Sequence, residues 1–161
     1  MNKACKSVIS PASASLAQPS GLCAGEYCVY LADAESSSIR TVRLPDGQVT
    51  TLIGKDLFTF GNIDGGWTHA RLQHPLDVSY DMNSEMLYVA DSYNDCIKRI
   101  DFSSKGIETI NAGEGLSEPG GMSLSGHILW IANTNAHEIR TLNLINHEVK
   151  VIEINEPESD F

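Results

Sequence analysis

The sequence of 161 residues has little positive charge, and this shortage excludes several classes of partner. Eleven Lys and Arg stand against 21 Asp and Glu, so the formal charge is −10, and no run of basic residues stands out. Nucleic-acid binding depends on clustered Lys and Arg, so we expect no nucleic-acid partner. Long apolar runs are absent too, and none approaches the ~20 residues that a membrane span needs. We therefore expect no membrane partner.

Cysteine is scarce and follows no metal-binding or redox pattern. The four cysteines are Cys5, Cys23, Cys28 and Cys96, and none forms a C-x-x-C pair, although Cys23 and Cys28 flank a turn-like stretch and could face each other across a hairpin. So few thiols make no disulfide framework, which favours a reduced intracellular setting. The first residues contain no apolar stretch of the kind found in secretory signals. The expected location is the cytosol.

The sequence does contain an internal repeat, which is the strongest signal in it. Segments 29–44, 87–102 and 129–144 align without a gap around an anchor position. An aromatic residue stands three positions before each anchor and Ala directly before it, while Ile follows six positions later and a basic residue seven positions later. The anchors and their basic residues are Asp33 with Arg40, Asp91 with Lys98, and Asn133 with Arg140.

Each repeat predicts four short antiparallel strands, because runs of Val, Ile, Leu, Tyr and Thr alternate with Gly, Pro, Asn and Asp. The second and third anchors are 133 − 91 = 42 residues apart, a normal spacing for propeller blades of roughly 40–45 residues. The predicted organisation is a flexible segment 1–18, blade 1 at 19–56, an inter-blade insertion at 57–74, blade 2 at 75–115, blade 3 at 116–154 and an acidic tail at 155–161.

The repeat resembles the NHL repeat. Its best copy is Leu87-Tyr88-Val89-Ala90-Asp91-Ser92-Tyr93-Asn94-Asp95-Cys96-Ile97-Lys98, and the insertion motif Phe60-Gly61-Asn62-Ile63-Asp64-Gly65 with Ala70-Arg71-Leu72-Gln73-His74-Pro75 is its most specific part. The resemblance is greatest to the C-terminal part of the propeller in a family member that carries a thioredoxin-like domain ahead of it. It implies an all-β fold, an NHL-type β-propeller that is partial, with about three four-stranded antiparallel blades of a six-bladed ring.

The repeated charged residues are interpreted as structural. Each anchor carboxylate is expected to accept turn N–H groups or to pair with the basic residue seven positions on. Asp95 holds an unrepeated loop position and is expected to contribute little. No catalytic residue, cofactor or metal site is predicted. Trp67, an aromatic residue in the polar insertion, either fills a blade junction, which is favoured, or contacts a partner.

These features favour a non-enzymatic scaffold that binds a protein partner. Three alternatives stay open: a propeller hydrolase or lyase with its site residues in other blades, part of a redox protein whose thioredoxin-like domain is absent here, and an RNA-binding propeller, which the acidic balance disfavours. Closed propellers have ~4–8 blades, so a chain with three repeats is also expected to self-associate through its open blade ends.

Overall fold

The computed structural model describes residues 16–110 and 115–155. The predicted flexible segment 1–18 and acidic tail 155–161 therefore lie almost entirely outside the described residues. Thirteen strands are found there: β1 Pro19–Ala24, β2 Cys28–Asp33, β3 Ser38–Arg43, β4 Val49–Ile53, β5 Gly65–Gly66, β6 Asp77–Asp81, β7 Met86–Asp91, β8 Cys96–Asp101, β9 Gly106–Ile110, β10 Pro119–Ser125, β11 Ile128–Asn133, β12 Glu138–Asn143 and β13 Val149–Ile152.

The strands form three consecutive antiparallel sheets, so the predicted all-β partial propeller is confirmed. Blade 1 has the order β1-β2-β3-β4 and blade 3 the order β10-β11-β12-β13. The registers repeat: Asp33 pairs with Ser38 across β2–β3, Asp91 with Cys96 across β7–β8, and Asn133 with Glu138 across β11–β12. The gapless alignment of the sequence thus corresponds to one strand register used three times.

Blade 2 differs from the predicted four strands, because the insertion supplies a fifth. Its order is β5-β9-β8-β7-β6, and β5 adds Gly65 and Gly66 to the outer edge opposite Ile107 and Gly106. Two glycines carry no side chain with a strand preference, so the sequence gives no β signal there. The insertion is therefore partly a strand of blade 2 rather than only a loop between blades.

Two apolar cores lie between the three blades, and alternation along the strands assigns residues to them. In β7, Leu87 and Val89 point into the core shared with blade 1, while Tyr88 and Ala90 point into the core shared with blade 3. We call the face turned toward the preceding blade the backward face and the other the forward face. Both faces of blade 2 are buried, as the apolar residues on both sides of its strands require.

Each second strand leads into a tight turn rather than a helix. One turn of 3-10 helix covers Ser92–Asn94 and another covers Thr134–Ala136. The residue that ends each such turn, and its counterpart Ser37 in blade 1, has a positive φ of 47 to 57°. Among residues 16–110 and 115–155, no helix is long and apolar enough to cross a membrane.

The first strands of the blades meet at the inner edge of the arc. The backbone N–H of Gly21 donates to Leu76 O at 2.8 Å, and Met122 N–H donates to the Asp77 carboxylate at 2.6 Å. A Cβ added at Gly21 would stand 1.9 Å from Asp77 Oδ1. Asp77 in blade 2 therefore contacts both neighbouring blades, and the space in front of Gly21 is filled by its side chain.

Candidate functional site

The three anchors hold the segment that leads into the first strand of their own blade. Asp33 Oδ1 accepts from the backbone N–H groups of Ala17 and Gln18, both at 2.8 Å. Asp91 Oδ1 accepts from Gln73 N–H at 2.7 Å, and Asn133 Oδ1 accepts from the aligned Ser117 N–H at the same distance. All three anchors are fully buried. They bind backbone donors, as expected, across 15 to 18 residues of sequence rather than only in the adjacent turn.

The basic residue seven positions on has a different partner in each blade. Arg40 Nε donates to Asp33 at 3.2 Å, which is the predicted pair. Arg140 instead pairs with Glu138 at 2.9 Å, and Glu138 also accepts from Asn133 Nδ2. Glu138 thus supplies the negative charge that Asn133 lacks.

Lys98 does not form the ion pair with Asp91 that the repeat predicts. Its fully buried ammonium donates to Asp64 Oδ1 at 2.7 Å and to Asn62 Oδ1 at 2.6 Å, both in the insertion, and to Thr109 at 2.8 Å. Asp64 is 34 residues away in sequence, so the repeat alone could not reveal this partner. The buried cation holds the insertion on blade 2.

The pKa values of the two acidic anchors, Asp33 and Asp91, are shifted in opposite directions. Burial raises the pKa of Asp91 to about 6, and the hydrogen bonds from Asn94 and Gln73 offset only part of that effect. Burial also disfavours the charge of Asp33, but the bonds from Ser36, Gln18 and Ala17 and the charge of Arg40 outweigh it, so the Asp33 pKa is lowered. The two carboxylates differ in this balance: burial outweighs the hydrogen bonds at Asp91, whereas the hydrogen bonds outweigh burial at Asp33.

A second set of hydrogen bonds joins neighbouring blades at the residue four positions after the anchor. Ser37 Oγ accepts from His74 N–H at 3.1 Å, and Asp95 Oδ1 accepts from Glu118 N–H at 2.7 Å. Each donor precedes the first proline of the next blade. The sequence suggested that Asp95 holds an unrepeated position, and this was wrong. Asp95, Ser37 and His137 share a left-handed backbone conformation, so the conformation is repeated although the side chain is not.

The insertion exposes four large apolar side chains. Its exposed members are Leu57 at 52%, Phe58 at 88%, Phe60 at 55% and Ile63 at 51%, which together we call the insertion surface. The Lys98 bonds and the pairing of Gly65 and Gly66 with blade 2 fix this segment to the blade, and backbone bonds from Gly61 N–H to Leu72 O and between Ile63 and Arg71 fold it on itself. Exposed apolar groups on an ordered segment mark interaction sites.

The sequence analysis missed the insertion surface and selected Trp67 instead. Trp67 is half-buried in the core between blades 1 and 2, and its ring stands at 84° to that of Phe102 with 5.7 Å between centroids. Its Nε1 is buried without a hydrogen-bond partner among the described residues. A role of Trp67 in partner binding stays a prediction. The sequence signal for the insertion surface was the pair Phe58 and Phe60 directly before Gly61.

Cysteine and histidine form no reactive group in the described part of the chain. Cys23, Cys28 and Cys96 are free thiols, and burial raises the pKa of Cys23 and of Cys96 to about 12. Cys23 lies opposite Tyr30 in the β1–β2 register, so it does not face Cys28 as the hairpin suggested. Within residues 16–110 and 115–155, no three His, Cys, Asp or Glu side chains are grouped as metal ligands.

Solved structures of low sequence identity share this fold. A streptogramin B lyase matches 90% of this chain and 43% of its own with a TM-score of 0.65 at 12% identity. A nidogen/laminin complex matches 84% of this chain and 48% of that chain with a TM-score of 0.65 at 21% identity. These likenesses show the propeller fold alone, and the three blades correspond to just under half of each propeller chain.

Sequence comparison agrees with the resemblance that the repeat motifs predicted. No protein-family model matches the chain. NHL repeat-containing protein 2 of Bos taurus is 41% identical over 169 aligned residues, which cover 89% of this chain and 23% of that protein. The chain thus spans about a quarter of the length of that relative. The predicted similarity to NHL repeat-containing protein 2 is therefore confirmed, and this chain is an all-β partial propeller that is similar to part of that protein.

Proposed function

We propose that this protein is a non-enzymatic propeller scaffold that binds a protein partner through the insertion surface. The observation that carries the proposal is the exposure of Leu57, Phe58, Phe60 and Ile63 on a segment fixed to blade 2. The backbone N–H groups of Phe58 and Ile63 are hydrogen-bonded, so this segment loses less backbone freedom when a partner covers it, which favours binding. Aromatic residues in such patches commonly dominate interface energies.

The chemistry of the surface favours a protein over a nucleic acid. Asp56 and Asp64 flank the apolar residues, and the whole chain has a formal charge of −10. A phosphate backbone would be repelled by this surface, whereas an apolar groove bordered by basic side chains would complement it. We place the protein and its partner in the cytosol, as the sequence composition suggests.

Fold alone does not decide between scaffold and enzyme, because the solved structures that share it include a lyase and a complex between two proteins. The function must follow from the site. We favour binding, since the insertion surface exposes apolar side chains that a protein partner could cover.

The test compares partners captured by the wild-type chain and by the double variant Phe58→Ser/Phe60→Ser. Both side chains are exposed, so the variant is expected to melt at the wild-type temperature while losing the captured partner at least tenfold. Met82→Ser is the matched control, because Met82 is 62% exposed in the β6–β7 turn, away from the insertion. Titration of the identified partner against the purified chains then measures the affinity. Equal binding by wild type and double variant would contradict the proposal.

A further inference from the structure

Blade 3 exposes on its forward face the positions that blades 1 and 2 bury. Tyr30 and Tyr88 are 1% and 3% exposed, whereas the aligned Trp130 is 41% exposed. Ile139 is 39% exposed, although its counterpart Ile97 is fully buried. The residues of this face that align with buried positions are Trp130, Ala132, Ile139 and Ile152. In blades 1 and 2 these positions pack against the following blade, and in blade 3 no described residues cover them in this way.

Blade 1 exposes the complementary half on its backward face. Leu22 is 65% exposed, whereas the aligned Val78 of blade 2 is 2% exposed. Val29 is partly exposed, although the aligned Leu87 is fully buried in the core between blades 1 and 2. The backward face of blade 1 is formed by Leu22, Val29, Leu31, Val42 and Val49, of which Leu31 is buried and the others are partly or largely exposed. These residues correspond to those that blades 2 and 3 turn toward their preceding blades.

The hydrogen bonds that join neighbouring blades also stop at these two ends. His137 holds the left-handed position from which Ser37 and Asp95 accept a bond from the next blade, and a neutral imidazole can accept in the same way. Gln18 precedes Pro19 as His74 and Glu118 precede their prolines, but its N–H donates to Asp33 of its own blade. Within the described residues, blade 3 thus keeps the acceptor position of an internal junction, whereas the corresponding N–H of blade 1 is already bonded within its own blade.

We propose that the forward face of blade 3 binds the backward face of blade 1 of a second copy of this chain. The contact continues a series of two blade interfaces already present in each copy. The three blades match 43% and 48% of two solved propeller chains, so two copies supply about the number of blades in one ring. The copies close head to tail, and each face is used once per copy.

Light scattering of the full chain after size-exclusion chromatography tests the proposal. The expected mass is that of two chains. Trp130→Lys and Leu22→Lys are each expected to halve it, because one altered face disrupts both contacts of the ring. Met82→Lys, in a turn of blade 2 away from both ends, and Trp130→Phe, which keeps an aromatic group, are expected to leave the mass unchanged. Thermal melts verify that every variant is folded.

Mixing the two charged variants tests the head-to-tail arrangement. The Leu22→Lys copy keeps its forward face and the Trp130→Lys copy keeps its backward face, so the mixture is expected to form a complex of one copy of each. A wild-type chain that is a monomer at tens of micromolar overturns the proposal. So does a charged variant that keeps the mass of two chains, a mixture that stays monomeric, or a wild-type species larger than two copies.

Discussion

Asp91 couples the stability of blade 2 to pH. Its pKa in the folded chain is raised to about 6 from the ordinary value of 3.8 because the carboxyl group is buried. The folded protein thus holds this proton more tightly than the unfolded chain does. The stabilising contribution is complete below about pH 4 and is lost as the pH rises through 6.

Asp91→Asn removes this titration. Relative to wild type, we expect the free energy of unfolding of the variant to rise by on the order of 2–3 kcal/mol between pH 4 and pH 7. Urea unfolding at intervals of one pH unit measures it. Asp81→Asn is the control, because the Asp81 pKa is lowered and its titration lies below this window. A difference between wild type and Asp91→Asn that stays constant across the window would contradict the expectation.

Asp91 and Asp95 differ in what each stabilises, and their substitution separates the two effects. Asp91→Ala leaves the partly buried Gln73 N–H without its acceptor and is expected to cost about 1–3 kcal/mol. Asp95→Ala removes the bond to Glu118 and places Ala at a φ of 52°, for about 1–2 kcal/mol. Asp95→Gly loses the bond but accepts the backbone, so it should be milder than Asp95→Ala. Chemical denaturation ranks the three variants, and equal losses for the two Asp95 variants would count against backbone strain.

At the scale of the element, the buried Lys98 determines whether the insertion stays on blade 2. Asp64→Ala removes the carboxylate that pairs with the Lys98 ammonium, and the insertion is expected to open roughly tenfold more often. Trypsin cleavage after Arg71, a partly buried residue of the insertion, should accelerate by a similar factor. Asp46→Ala, in the β3–β4 turn, is the control and should leave the cleavage rate unchanged. An unaltered rate in Asp64→Ala would show that the backbone bonds alone hold the insertion.

For the whole molecule, the sequence was sufficient wherever the determining residues recur in each repeat. The strands, their register and the buried anchors follow from Tyr88, Ala90, Asp91 and Ile97 and their aligned counterparts. Each of these residues holds the same strand position and register in all three blades. A repeat therefore encodes its local fold and its place beside the next repeat.

The sequence failed where one repeat departs from the others. The partner of Lys98 lies in an insertion that precedes blade 2 and has no counterpart before blade 3. The edge strand Gly65–Gly66 has no side chains from which a strand could be predicted. The role of Asp95 depends on a backbone N–H in the next blade and on a left-handed φ that no single residue type specifies. The exposure of Phe58 depends on how the insertion folds back, which neither periodicity nor composition records.

The close contact between Gly21 and Asp77 predicts that a larger residue at position 21 destabilises the packing of blade 1 on blade 2. Gly21→Ala would place a Cβ 2.6 Å from the Cα of Asp77, so blades 1 and 2 must separate. We expect a loss of about 1–3 kcal/mol in the free energy of unfolding. Gly66→Ala, where the added atom has open space, is the control. Denaturant titration measures both, and equal stability of the two variants would contradict the close approach.

The same contact means that the order of the blades cannot be permuted freely. Asp77 occupies the volume in front of Gly21, and blades 1 and 3 both carry glycine at the aligned position, Gly21 and Gly121. A gene duplication that placed two copies of blade 2 in series would bring one carboxylate against the backbone of the other, with no glycine to admit it. A blade with aspartate at that position can therefore be added only directly after a blade with glycine there.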